Sequence, residues 1–219
     1  MKSKISKTAV VLLSGGLDSA TALYLAKAKG YKCHALIFDY GQRHKQEVIC
    51  AVKIARASGC AYRILKIGFP WKGSALLDKK INVPGGITQG VPVTYVPARN
   101  IIFLSFALSM AEVIKAQAIF IGAHAQDYSG YPDCRPAFFK AFIQMAKAGI
   151  AAKNRIKILV PLLNMNKSQI IRLGNKLGVP FSLTRSCYRA GKKPCQKCDS
   201  CYYRAKGFKE AGLIDPLVN

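Results

Sequence analysis

Ser14-Gly15-Gly16-Leu17-Asp18-Ser19 gathers two glycines, two hydroxyls and a carboxylate into six residues. The apolar run Ala9–Leu13 precedes it, and Ala20–Lys29, rich in Ala, Leu and Lys, follows. The first reads as a short buried strand and the second as a helix. The hexapeptide thus falls where a strand turns into a helix. Glycine lets backbone approach a ligand closely, and unpaired N–H groups at a helix start favour an anion. Asp18 and Ser19 could cap the helix, orient backbone groups or hold a metal on a polyphosphate. The spacing is neither the Walker A pattern, which ends Gly-Lys-Ser/Thr, nor the dinucleotide fingerprint Gly-x-Gly-x-x-Gly. Ordinary turns also favour Ser, Gly and Asp, but the full hexapeptide behind an apolar strand favours a phosphate cradle.

A second constellation lies near the other end. Cys187, Cys195, Cys198 and Cys201 follow the spacing C-x7-C-x2-C-x2-C. Four thiolates make a closed tetrahedral site of the structural kind. Zinc is the default metal. An iron–sulfur cluster is the alternative, but the C-x3-C-P continuation of the bacterial pattern is missing. The segment Arg185–Arg204 is polar and offers no core in which four unconnected cysteines would be buried, and Lys192, Lys193 and Lys197 would lower thiol pKa values. Cys33, Cys50, Cys60 and Cys134 are scattered and read as small buried apolar residues.

Other polar groups fall where strands end. Ala123–Arg135, AHAQDYSGYPDCR, supplies Asp127, Tyr128, Ser129, Tyr131, Asp133 and Arg135, a mixture suited to a polar heteroaromatic ligand. Arg99, at the mouth of the apolar helix Ile101–Lys115, could clamp a phosphate or carboxylate. Lys167 sits in the first turn of a helix capped by Asn166, against the helix dipole, and points to a nearby anion. The histidines His34, His44 and His124 lie in unrelated contexts and indicate no nucleophilic triad.

These groups need a scaffold at whose edge they converge. Strand-like runs at Tyr31–Phe38, Ala61–Ile67, Ala118–Gly122 and Ile156–Leu163 alternate with helix-like runs ending near Ser58, at Lys115, across Pro136–Ala148 and near Leu177. The alternation predicts an α/β fold, a parallel sheet with helices on both faces, and ligands on such sheets bind beyond the carboxyl ends of the strands. Phe69–Pro97, rich in Pro and Gly, breaks the rhythm and reads as an active-site flap. At 219 residues the chain fits one domain with a small appendage, and a 51% hydrophobic content is that of an ordinary globular protein. The net charge of +24, from 34 Lys+Arg against 10 Asp+Glu, favours anionic ligands. The apolar run before Ser14 is too short for a signal peptide and Ile101–Ala111 too short to span a bilayer, so a cytoplasmic protein without a disulfide framework is expected.

SGGLDS, FDYGQRH (Phe38–His44), YVPARN (Tyr95–Asn100), DYSGYPDCR (Asp127–Arg135) and the block from Ser186 to Cys201 occur in this order. Together they resemble the 7-cyano-7-deazaguanine (preQ0) synthases of queuosine biosynthesis, within the SGGxDS (PP-loop) ATP pyrophosphatase superfamily. The resemblance spans nearly the whole chain and implies a Rossmann-like sheet of the adenine nucleotide alpha hydrolase kind, with residues 1–180 binding nucleotide and residues 181–219 forming a four-cysteine zinc-binding segment packed on it. It implies conversion of 7-carboxy-7-deazaguanine, ammonium and ATP with Mg2+ to the nitrile, by adenylation first of the carboxylate and then of the amide. ATP would meet Leu13, Ser14, Gly15, Gly16, Leu17, Asp18, Ser19, Ala20, Thr21, Ala22 and Leu23. Arg99, Asp127, Tyr131, Asp133 and Arg135 are expected around the base and its carboxylate, and Asp18, Ser19, Arg99 and Lys167 in catalytic roles. Zinc would take Cys187, Cys195, Cys198 and Cys201, and a homodimer with no membrane and no obligatory nucleic-acid partner is implied. The chain departs from the family pattern at His124, Arg185 and Gln196. A tRNA-modifying adenylase or thiolase with the same loop, and a zinc-knuckle nucleic-acid-binding module, are the other readings. The second leaves SGGLDS and DYSGYPDCR without a purpose.

Overall fold

The computed structural model describes residues 7–43, 45–85, 90–124, 130–152, 156–189, 191 and 193–218. Five strands, β1 (Lys7–Leu12), β2 (Tyr31–Asp39), β3 (Ala61–Lys66), β4 (Ala118–Phe120) and β5 (Lys157–Leu159), form one sheet in the order β3-β2-β1-β4-β5. Every neighbouring pair is parallel. β1 is central, and its pleat divides the core. Ala9 and Val11 face a layer holding Leu17, Leu23, Ile54, Ile170 and Phe208, whereas Val10 and Leu12 face one holding Leu104, Leu108, Phe139 and Phe142. The first layer is built by α1 (Leu17–Ala28), α2 (Gln46–Ala57), α5 (Lys167–Lys176) and α6 (Asp199–Ala211), the second by α3 (Arg99–Val113) and α4 (Pro136–Gly149). The helices therefore lie on both faces, as the alternating pattern predicts.

Where element bounds differ from the sequence reading, local chemistry explains it. The first helix begins at Leu17 rather than Ala20, because Gly16 in an extended conformation is its N-cap; Asp18 and Ser19 thus belong to its first turn. The fifth strand stops at Leu159, short of Leu163, since Pro161 has no N–H for the ladder. α5 starts at Lys167 through a capping box: Asn166 Oδ1 accepts from Gln169 N at 2.9 Å and Gln169 Oε1 accepts from Asn166 N at 2.9 Å. α6 had no counterpart in the sequence reading. Its mixed composition, DSCYYRAKGFKEA, is held by packing on α5, and Gly212 ends it in a left-handed conformation.

Within the stretch between β3 and α3, the carbonyls of Lys79, Ile81 and Val83 are held by arginines from other segments. Arg43 donates to the carbonyls of Ile81 (3.0 Å) and Lys79 (3.2 Å), and Arg189 donates to that of Val83 (2.8 Å). At the other end of the chain Arg204 is buried; its Nε and Nη2 donate to Asp215 at 2.7 and 2.9 Å, and its Nη1 donates to Thr184 Oγ1 at 2.8 Å.

The start of α1 presses directly on the end of β4. A Cβ on Gly122 would lie 2.9 Å from both Asp18 C and Ser19 N, a backbone-to-backbone approach that only glycine permits. Gly122→Ala is expected to destabilise the protein by about 1–3 kcal/mol in urea denaturation. Gly149→Ala, where an added methyl meets nothing within 4 Å, is the control and should cost much less.

Candidate active site

The strand order reverses at β1: β2 and β3 lie to one side, β4 and β5 to the other. A cleft opens there, beyond the carboxyl ends of the strands, as expected for this topology. Its floor includes Leu12, Leu13, Leu36 and Ile121, and the phosphate-type loop forms one wall through Ser14, Gly16, Asp18 and Ser19. Ser19 ties that loop together: its Oγ donates to Gly16 O at 3.0 Å, accepts from Ser14 N at 3.2 Å and lies 3.0 Å from Ser14 Oγ. No side chain caps α1, so the N–H groups of its first turn remain directed at the loop. Leu17, Ala20, Thr21, Ala22 and Leu23 are buried in the core. They are not among the residues that line the cleft, because α1 is enclosed by the sheet on one side and by α5 on the other.

Asp18 is the electrostatic centre of this wall. Lys167 Nζ donates to its Oδ1 and Oδ2 at 2.8 and 2.9 Å, and His124 Nε2 stands 3.6 Å from Oδ2. Burial alone would raise the Asp18 pKa, but the facing Lys167 ammonium holds the carboxyl well below the usual carboxylate range. His124 therefore does not lie in an unrelated context. It is buried in the segment that follows β4, beside the expected catalytic pair.

The facing wall is aromatic and cationic. Arg99, the first residue of α3, donates from Nη1 to Tyr40 Oη at 3.3 Å. Phe38 and Phe103 stack with ring centroids 3.8 Å apart, and Tyr131 reaches the cleft with its hydroxyl 3.0 Å from Thr94 Oγ1. Burial pushes the Tyr40 phenol up to about 12 against the pull of Arg99. Asp133 is not among the residues that line the cleft, but its charge favours that of Arg99 from behind the wall. Its Oδ2 accepts from Asn100 N at 2.9 Å and its carbonyl accepts from Asn100 Nδ2 at 3.1 Å, so it supplies the cap that Ala98, left-handed at φ 57°, does not provide for α3. Arg135 is exposed and not among the residues that line the cleft. Asp127, also expected at the base, lies outside the described residues.

The cysteine segment closes the third side. The Sγ atoms of Cys187, Cys195, Cys198 and Cys201 all lie within 4.8 Å of one another. The N–H groups of Arg189 and Cys195 point at Cys187 Sγ (3.4 and 3.3 Å), and those of Lys197 and Cys198 at Cys195 Sγ (both 3.4 Å). Four convergent sulfurs with N–H donors on two of them fit a tetrahedral all-thiolate metal. Contrary to the sequence reading, this polar segment does bury its cysteines: Cys187, Cys198 and Cys201 pack with Ala75 and Val83 from the long connection. The same segment sends Arg185, Ser186, Tyr188 and Ser200 to the cleft.

Glu47, Arg185, Tyr188, Ser200 and His124 are thus at the site although the sequence suggested no role there for them, Arg185 and His124 standing out only as departures from the family pattern. Glu47 had a visible signal, since it opens the helix that follows the Phe38–His44 motif at the same sheet edge. Arg185 joins two walls: its N–H donates to Gly15 O at 2.8 Å and its Nη2 to Gly191 O at 2.6 Å.

The comparisons with known proteins agree with this geometry. A family model described as queuosine biosynthesis protein QueC matches residues 8–212. The chain belongs to that family. It is 52% identical over 218 residues to the 7-cyano-7-deazaguanine synthase of Pseudomonas putida strain KT2440, covering 96% of this chain and 97% of the relative. It is 50% identical over 220 residues to the enzyme of the same name from Nostoc punctiforme, covering 96% and 98%. Among solved structures, NMN synthetase from Francisella tularensis shares the fold with a TM-score of 0.51 at 17% identity, over 95% of this chain and 78% of that one.

Burial pushes the Glu47 carboxyl up to about 7, against Arg99 and Arg185 and with the Cys187 sulfur adding to the rise. The folded protein then binds this proton more tightly than the unfolded chain. The stabilising contribution is complete below pH 4.5, the unperturbed value, and is lost as pH rises through about 7. Glu47→Gln carries no such proton. Urea denaturation should show the wild type losing stability relative to this variant between pH 4.5 and 7; a difference that does not change with pH would mean an ordinary surface carboxyl.

Proposed function

We propose that this chain converts 7-carboxy-7-deazaguanine, ammonium and ATP to 7-cyano-7-deazaguanine, as a carbon–nitrogen ligase of queuosine biosynthesis. The observation that carries the reading is the full-length likeness to synthases of that name in a chain whose phosphate-type loop opens onto a cleft walled by Arg99 and aromatic rings.

A carboxylate is a poor electrophile. Transfer of AMP to its oxygen expels pyrophosphate and makes a leaving group; ammonia displaces AMP to give the amide and a proton is lost. The amide oxygen accepts a second AMP, pyrophosphate leaves again, and loss of AMP and the remaining nitrogen protons gives the nitrile. Catalysis here is positioning and charge stabilisation. The loop Ser14–Ser19 and the first-turn N–H groups of α1 receive the polyphosphate, and Lys167 offsets its charge. Arg99 orients the carboxylate, and Tyr131, Tyr40 and the Phe38–Phe103 stack hold the flat base. Asp127 remains a candidate for its N–H edge. Asp133 contributes by capping the helix that carries Arg99, and Arg135 is assigned no contact. Mg2+ accompanies the nucleotide, with Asp18 its nearest candidate protein contact on the loop. Zinc, bound by Cys187, Cys195, Cys198 and Cys201, would be structural and hold the segment that sends Ser186, Tyr188 and Ser200 to the cleft. Residues 1–180 form the nucleotide-binding part and 181–219 the metal segment, packed as one unit. Free ammonium as donor, a homodimer and a cytoplasmic location complete the reading, on the family resemblance. No helix among the described residues is long and apolar enough to cross a membrane.

Mass spectrometry after incubation with the acid, ammonium, ATP and Mg2+ tests the reaction. The nitrile should appear with wild type and fall by about 100-fold or more with Asp18→Ala, whose circular dichroism should be unchanged. A folded, metal-replete wild type that leaves the acid untouched would overturn the reading. Cys198→Ser should drop metal content from about one zinc per chain and lower the melting temperature; full zinc content in that variant would overturn the four-cysteine site.

A further inference from the structure

The ammonium of Lys167 has three protons and three acceptors around it. Two are the Asp18 oxygens, at 2.8 and 2.9 Å, and the third is His124 Nε2, at 2.8 Å. A lysine ammonium only donates. His124 Nε2 must therefore present its lone pair, which places the imidazole proton on Nδ1 and leaves the ring neutral. At 3.6 Å from Asp18 Oδ2, the same nitrogen is too far to bond the carboxylate, so its partner in this trio is the lysine. His124 and Lys167 are both buried.

The stem of the lysine is fixed as firmly as its head. A Cβ on Gly207, in α6, would lie 2.5 Å from Lys167 Cγ and 3.0 Å from its Cβ. The backbone of α6 therefore lies against the side chain and leaves it one path, toward the loop. The two head contacts differ in kind. Asp18 is charged and competes with a polyphosphate for the ammonium. His124 is neutral and can keep its hydrogen bond while the positive charge turns to a phosphate.

We propose that His124 is the positioning residue of Lys167: a neutral acceptor that fixes the direction of the ammonium beside the phosphate loop without cancelling its charge, opposite the stem contact made by Gly207. The inference rests on the reading that Lys167 meets the polyphosphate.

The test compares His124→Leu, which fills the space without an acceptor, with His124→Gln, whose Oε1 reaches about as far as Nε2. His124→Ala replaces the leucine variant should that one not fold. ATP affinity by calorimetry and kcat and KM for nitrile formation are read on each, with Lys167→Met alongside. His124→Leu should weaken ATP binding or lower kcat by about 10- to 100-fold, the range for a lost hydrogen bond to a charged group, while KM for the deazaguanine acid stays near wild type. His124→Gln should recover most of the loss. Folded leucine and alanine variants with wild-type ATP affinity and kcat, while Lys167→Met is impaired, would overturn the role of His124 alone. Equal impairment of the leucine and glutamine variants would also overturn it, by showing that ring shape and not the acceptor matters. Wild-type behaviour of Lys167→Met would instead overturn the reading on which the inference rests.

Discussion

The ion pair between Asp18 and Lys167 is the contact on which the site depends. It joins residues 149 positions apart, one in the first turn of α1 and one at the start of α5, across the carboxyl edge of the sheet. A pair between exposed side chains contributes about 0–1 kcal/mol, and a buried pair is weak evidence for stability because desolvation opposes it. This pair is only part-buried, with 24% of the Asp18 side chain exposed to the cleft, so breaking it costs less than the roughly 3–5 kcal/mol of a fully buried pair. The physical content of this pair is therefore constraint: once Lys167 is buried, Asp18 must face it. In a chain with 34 basic and 10 acidic residues, a carboxylate held there is a specific local choice. The orientation of the loop in the first twenty residues is thus set partly by a helix near residue 170, and the loop is complete only when the C-terminal half has docked.

The same long-range logic governs the cysteine segment. Its four sulfurs are close in sequence, but their cover comes from Ala75 and Val83, and Arg189 reaches the carbonyl of Val83. The connection from β3 to α3 and the cysteine segment are therefore two halves of one small structure. Leu76 on one side and Tyr188 and Ser200 on the other face the cleft. A metal in the four-sulfur site would fix a wall of the active site as well as a loop.

What was legible in the sequence was what is encoded locally. The apolar run, the glycine loop and the helix after it are neighbours in the chain, and the parallel sheet follows from repeating that pattern. Asn166 with Gln169 three residues on is a capping box in any context, and the cysteine spacing carries its own geometry. What was not legible depends on distant partners. Asp133 turns to Asn100 because α3 begins at Ala98, which has no side chain to cap it, and no pattern within the DYSGYPDCR block reveals that. The role of His124 depends on a partner 43 residues away in the chain. Arg43 binds two carbonyls of the segment between β3 and α3; a lone arginine in sequence does not disclose that its partners are backbone.

Arg204 carries a different consequence. Its guanidinium is buried and divided between Asp215, beyond the end of α6, and Thr184 and the Phe181 carbonyl, which precede Arg185. Asp215 is the counter-ion that makes this burial tolerable, so the tail works as a latch. Protease nicking between Gly212 and Asp215, or an affinity tag whose fusion displaces that turn, would strand a charge in the interior and loosen the strap that delivers Arg185 to the nucleotide loop. Damage around Asp215 would then be felt at the catalytic cleft, about thirty residues earlier in the chain.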